Sequence, residues 1–204
     1  WREINAGGPD VVDARDPNAN GFLLTYSQDM GKVVGGKMIG VGKEKKFVVS
    51  HKLTPSEKIQ VALAIFMEVS IGFETLQDSF PNFVTKSGFS QEDLVSNLIG
   101  FYIACGVVTH AHVLAEAKPV SKEVALSIWD NEGPVGSNKN KTFMPLFSKA
   151  TTKQCHIACD GLSPRPPSFM NAIKPERKGR LFWDYEFDLA KGASTSLKKV
   201  KEIF

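Results

Sequence analysis

Apolar and polar positions change their spacing twice along the 204 residues, which divides the chain into three stretches. In residues 1–53 the apolar runs are short and turn residues interrupt them. Gly7-Gly8-Pro9 and the stretch from Pro17 to Gly21 are turn signals. Phe22 to Tyr26 reads as a strand, and Phe47 to Ser50 as another. Between them Val33, Val34, Met38, Ile39 and Val41 are interrupted by Gly35, Gly36 and Gly40, which predicts one bulged strand or two short ones. A small antiparallel sheet is expected here.

Residues 54–131 carry the helical signal. Thr54-Pro55-Ser56-Glu57 opens a helix with Thr as N-cap, Pro at the first position and Glu at the third. Ile59 to Leu76 is apolar almost all round, the signature of a buried helix, and Pro81-Asn82 ends it. Ser90-Gln-Glu-Asp93 is a second capping box before an apolar run, which predicts a helix from Leu94 to about Leu114. Two long buried helices joined by one loop are expected to form an antiparallel hairpin. Pro119 breaks the pattern, and Ser121 to Trp129 fits a short third helix.

Residues 132–204 are irregular. Ser163-Pro-Arg-Pro-Pro167 reads as polyproline, and Leu181 to Leu189 alternates like a half-buried strand. A short basic amphipathic helix is expected to close the chain, with Leu197, Val200, Ile203 and Phe204 on one side. The expected fold is α+β in a single domain, 1–204. A central buried antiparallel helical hairpin with smaller helices is joined to a small antiparallel sheet and long loops.

Composition narrows the class more than the fold. With 25 Lys+Arg against 22 Asp+Glu the net charge is +3, and the basic residues are spread out apart from Lys43–Lys46 and Lys198–Lys201, which argues against a nucleic-acid partner. Three cysteines are too few for a disulfide framework. No run reaches 18 apolar residues, so no membrane span is expected. The chain begins Trp-Arg-Glu-Ile without an initiator Met, which suggests a processed or trimmed product; removal of an export signal is one explanation.

Several groupings invite chemistry. Asp16-Pro-Asn18-Ala-Asn20-Gly21 matches the first half of a calcium loop, with oxygen ligands at positions one, three and five and Gly at six. Calcium is thus a candidate cofactor, held by Asp16, Asn18 and Asn20. Position twelve is Ser27, where a bidentate Glu belongs, so an Asx-rich turn is the competing reading. Glu68 is the only charge between Lys58 and Glu74 and must be paired, protonated or facing a cavity. Ser70, Glu74 and Gln77 share a face of the same helix, at i, i+4 and i+7.

In the expected hairpin Glu74 and Gln77 approach Asp93, Ser96 and Asn97, away from His110 and His112. Those histidines stand about 160° apart on a regular helix. Glu74 and Asp93 are then candidate acid/base groups and Gln77, Ser96 and Asn97 candidate binding groups. A buried hydrogen-bond network that fixes helix register is the alternative. Cys155-His156-Ile-Ala-Cys159 could be structural, a disulfide, a metal site, or a thiol paired with His51. The glycines from Val33 to Gly42 lack the Gly-Lys-Ser/Thr of a phosphate loop. Phe182 to Phe187 could line a groove, or pack its rings inward and expose its acids.

The segment Phe73-Glu74-x-x-Gln77, followed by Gly88-Phe-Ser-Gln-Glu-Asp-Leu-Val-Ser-Asn-Leu-Ile-Gly100, resembles an uncharacterised family of exported bacterial proteins. The resemblance covers residues 55–105. Members of that family often carry a His-Glu pair at the end of the first helix, where this chain has Gln77-Asp78, so a metal-hydrolase inference is weakened. The family brings no established activity. The resemblance implies a periplasmic or cell-envelope protein and marks Glu74, Asp93, Ser96 and Asn97 as a distinctive set. Two functions are therefore carried forward. One is a non-catalytic binding or structural protein whose partner is an envelope protein or a small ligand. The other is a hydrolase-like enzyme built on Glu74 and Asp93, with or without a cation.

Overall fold

The structure is a computed structural model, and it describes residues 1–13, 16–34, 37–79, 89–117, 120–132, 138–147 and 165–185. Side chains are described except at 12–19, 31–41 and 132. The fold is α+β. In chain order it contains α1 (Arg2–Ala6), β1 (Asp10–Asp13), β2 (Asp16–Val34), β3 (Lys37–Val49), α2 (Pro55–Ser79), α3 (Asp93–Ala104), α4 (His110–Glu116), α5 (Lys122–Glu132), a 3₁₀ turn at Ser168–Asn171 and β4 (Phe182–Asp184). The residues form two compact units. One is Trp1–Leu76 with Ile173–Phe204; the other is Gln77–Ala172.

The first unit holds an antiparallel sheet in the order β1-β2-β3-β4. β2 and β3 pair continuously from Phe22↔Val49 to Val34↔Lys37, with residues 35 and 36 between them. The strands are thus much longer than the short runs expected from apolar alternation. Glycine weakens a strand without removing its N–H and C=O, and here Gly31 lies opposite Gly40 and Asp29 opposite Gly42 within an unbroken ladder. Phe22, Leu24, Phe47, Val48, Val49 and Phe182 are buried. Phe47 and Phe182 meet as tilted rings 6.0 Å apart.

α2 begins as its sequence predicts. The Thr54 N–H and hydroxyl both donate to Glu57 Oε2 at 2.9 Å, and the Glu57 N–H donates back to Thr54 Oγ1 at 3.3 Å. This reciprocal box satisfies donors that a helix start leaves open. The helix runs 25 residues. By length and composition it could cross a membrane, and half of its most apolar stretch is buried inside the protein. Val61, Leu63, Ile65, Phe66, Val69 and Phe73 are among its buried residues.

In the second unit the expected helix from Leu94 to Leu114 is two helices. α3 stops at Ala104, and Gly106 follows at φ +71°, a left-handed conformation that glycine adopts without steric cost. The Val107 N–H returns to the Tyr102 carbonyl at 2.9 Å. Thr109 then caps α4, its hydroxyl accepting from the His112 N–H at 3.1 Å. The third expected helix is present as α5, whose Val124 N–H donates to Ser121 Oγ at 3.3 Å. The expected late strand is described only as Phe182–Asp184. The closing helix, Pro81-Asn82, Pro119 and the Cys155–Cys159 segment lie outside the described residues.

Candidate functional site

Glu68 shows what a lone charge on an apolar helix requires. It sits near the middle of α2, and its carboxylate is met by two ammonium groups from distant parts of the chain. Lys45, on β3, reaches Glu68 Oε1 and also Asp184 Oδ1, the latter at 2.8 Å. Lys178 lies 2.7 Å from Glu68 Oε2 and 2.9 Å from Asp184 Oδ1. Two cations and two anions thus close into a ring joining α2, β3, β4 and the segment before β4. Their side chains are between 30% and 37% exposed.

The local folding that builds this ring is simple. Antiparallel pairing places Phe47 opposite Asp184, and the Tyr185 N–H donates to the Lys46 carbonyl at 2.9 Å, so Asp184 stands beside Lys45. Gly179 takes φ +92° and its N–H donates to the Phe182 carbonyl at 2.9 Å, turning Lys178 back toward Asp184. Burial pushes the Asp184 carboxyl up, but hydrogen bonds from Lys45 and Lys178 outweigh it and hold the group below the usual carboxylate range. Burial likewise pushes Lys45 down, and its bonds to Asp184 and Glu68 outweigh that and raise it.

The ring continues toward the helix start. The Glu176 N–H donates to the Gln60 carbonyl at 3.0 Å. The Arg180 guanidinium grips Glu176 and stands 3.5 Å from Glu57 Oε1. Glu57 and Glu176 are both held below the usual carboxylate range, Glu57 chiefly by the hydrogen bond from the Thr54 backbone and Glu176 chiefly by Arg180.

The residues predicted to form a carboxylate site divide between the two units. Glu74 and Gln77 are buried on α2, 3% and 4% exposed. Glu74 belongs to the first unit; Gln77, Asp93, Ser96 and Asn97 belong to the second. Asp93 is the first residue of α3, and its Oδ2 accepts from the N–H of Ser90, ahead of the helix, at 2.9 Å. Ser96, exposed, donates from its hydroxyl to the Asp93 carbonyl at 3.1 Å. Asn97 is half-buried. Ser70 is fully buried and takes a 2.8 Å hydrogen bond from Gln28 Nε2, a partner on β2 that the sequence did not reveal.

Asp16, Asn18 and Asn20 lie in β2, where Asp16 pairs with Asp13 and Asn20 with Val12. The backbone of the segment is therefore strand, where a calcium loop and an Asx-rich turn were the two readings of the sequence. Gly21 has a different reason to be glycine: a Cβ there would lie 1.9 Å from the Val49 carbonyl oxygen. Among the described residues no three His, Cys, Asp or Glu side chains gather in a metal-binding group.

A second grouping escaped the sequence because it joins α4 to residue 168. Glu116 Oε1 accepts from Ser168 Oγ at 2.7 Å and lies 2.7 Å from His112 Nε2, while Oε2 accepts from the Ser168 N–H at 2.6 Å. The His112 ring meets Phe169 edge-on, centroids 5.6 Å apart. His112 and Glu116 are four apart on a helix, the only part of this arrangement that local spacing could suggest. The bonds from Ser168 and then His112 keep Glu116 below the usual carboxylate range. The carboxylate stands between serine and imidazole, so the hydroxyl donates to Glu116. A serine nucleophile would instead have to donate to its histidine. The arrangement docks the 3₁₀ turn on α4.

The same unit carries a polar knot. Asn140, 1% exposed, donates from Nδ2 to the carbonyls of Gln91 and Met144 at 3.0 and 2.9 Å. It accepts at Oδ1 from Thr142 Oγ1 at 2.7 Å. Its own N–H reaches the carbonyl of Phe89, a buried residue at φ 59°. The amide thereby satisfies main-chain groups that a turn leaves open. No family model, curated protein or solved structure matches the chain.

Proposed function

We propose that the chain is an exported bacterial cell-envelope protein that acts by binding or structural support and not by catalysis. The observation that carries this reading is the mutual closure of its grouped charges. Glu68, Asp184, Lys45 and Lys178 neutralise one another. Lys45 and Lys178 hold the Asp184 carboxyl below the usual carboxylate range, which makes it a weak proton acceptor at neutral pH. Glu116 is likewise occupied by Ser168 and His112 in a docking order. Export rests on the resemblance of residues 55–105. The antiparallel pairing of α2 with α3 belongs to the same proposal and is supported by the apolar character of both helices and the connection through residues 80–92. α2 is read as a core helix, because a mid-helix carboxylate bonded to two lysines is accommodated more readily in protein than in lipid.

Fractionation of cells making the full-length protein tests the location. Recovery with the periplasmic or envelope fraction is expected, and cytosolic recovery overturns it. The non-catalytic role is tested in a deletion strain. Wild type and a folded Glu74→Gln protein should complement equally. Selective failure of the variant would return that carboxylate to a chemical role.

A further inference from the structure

Residues 174–181 lie across α2 with no fully buried residue among them, and of their ion-paired side chains only that of Glu176 is buried, at 7% exposed. Their sequence, Lys174-Pro-Glu-Arg-Lys-Gly-Arg-Leu181, carries four cations and one anion. What holds them is polar: the Glu176 N–H on the Gln60 carbonyl, the Ser50 N–H on the Leu181 carbonyl, Lys178 on Glu68 and Asp184, and Arg180 on Glu57, with Arg180 also bonded to Glu176 within the segment. Apolar anchorage begins only at Phe182, which is 1% exposed. We propose that residues 174–181 form a releasable strap, fastened to α2 by charge, that lets go on acidification or at high salt while α2 and the sheet stay folded.

The physical basis is the contrast between the two kinds of attachment. Ion pairs at partly exposed positions are screened within about 10 Å at ordinary ionic strength and fade further as salt rises. Burial of Val61, Phe66, Val69, Phe47 and Phe182 does not depend on charge. Among the described residues the charged groups facing the strap are Glu57 and Glu68 from α2, Lys45 from β3 and Asp184 from β4; its own are Lys174, Glu176, Arg177, Lys178 and Arg180, of which Glu176, Lys178 and Arg180 make the ion pairs above. Each attachment of Lys178 and Arg180 ends on a carboxylate, so protonation of those acids unfastens both. Glu57, Asp184 and Glu176 are all held below the usual carboxylate range, which places release on the acid side of it. Release uncovers Glu57, Gln60 and Glu68, positions at i, i+3 and i+11 along one stripe of α2.

Hydrogen exchange read by mass spectrometry on the whole chain tests this, with rates corrected for the intrinsic effect of pH. The reporters are the amides of Glu176 and Gly179, with the α2 interior as internal reference. From about pH 7 to about pH 3, the range that takes carboxylates through protonation, the reporters should lose about tenfold or more of their protection before α2 loses any. Added salt at neutral pH should act in the same direction on the unsubstituted protein. The double variant Glu68→Gln, Asp184→Asn should show the loss already at neutral pH and low salt. Reporters that keep their protection through acid and salt would overturn the proposal. So would reporters that lose it only together with α2. The salt arm needs no substitution and therefore stands if the variant fails to fold.

Discussion

Lys45 is the residue on which most of the charged ring depends, because its ammonium alone joins β3 to both acids. Replacing it by Met keeps much of the stem over Phe47, whose ring centroid is 5.5 Å from Nζ, and removes the charge. Glu68 and Asp184 then share Lys178 alone. A hydrogen bond between charged groups contributes roughly 1.5–3 kcal/mol when well shielded. These groups are about one-third exposed, so a loss of about 1–2 kcal/mol is expected for Lys45→Met at neutral pH. The pH dependence has a definite sign. Asp184 titrates lower in the folded protein than in the unfolded chain. Its contribution is therefore present above the ordinary carboxylate range and disappears as pH falls through its folded value. Lys45 titrates higher when folded, so its contribution holds below the ordinary lysine value and fades only as pH rises through the folded one. Urea melts of the wild type and Lys45→Met should consequently differ at neutral pH and converge in acid. A gap that persists unchanged in acid would assign the loss to packing.

Elements were legible where their signals are local. The box at Thr54 and Glu57 lies within four residues, and α2 starts where it predicts. The apolar run after Asp93 was equally visible, but its end was not: Gly106 is one residue inside a continuing apolar pattern, and Thr109 looked like part of the same helix. What separates α3 from α4 is the left-handed turn at Gly106. Substituting Ala there removes no contact, since nothing lies within 4 Å of the added Cβ, but forces a side chain into that conformation. The expected cost for Gly106→Ala is about 1 kcal/mol or more, read as a lower denaturation midpoint with unchanged slope. An increase in stability would mean that α3 and α4 can merge. The site was less legible than the elements, because its partners are not local. Glu68 was recognisable as a charge in need of a partner, yet Lys45 stands 23 positions away and Lys178 stands 110 away. Ser168 and Glu116 are separated by 52. No periodicity connects such pairs; only the folded chain does.

On the scale of the whole molecule, the question is whether any cation is part of the structure. The half-matched motif at Asp16, Asn18 and Asn20 offered oxygen ligands at the right intervals for a loop. In the folded chain those positions belong to β2, and the backbone of Asp16 and Asn20 faces β1 partners across the ladder. A calcium loop must curl its main chain so that several oxygens converge, whereas a paired strand keeps successive residues extended. The glycine that seemed to complete the motif is required by the Val49 carbonyl instead. Calcium should therefore not be linked to folding. A ligand present at about a hundred times its dissociation constant stabilises a protein by about 2.7 kcal/mol. For a chain of this size that raises the melting temperature by roughly 5–10 °C. The expected outcome is no such shift: melts in millimolar calcium and in EDTA should coincide, and purified protein should hold well under one equivalent of calcium. A rise of several degrees, abolished by Asp16→Ala with Asn20→Ala, would show that the segment binds a cation after leaving the ladder. It would also weigh against a purely non-catalytic envelope protein, since a bound cation would supply the polarising group that the closed pairs around Glu68 and Glu116 do not offer.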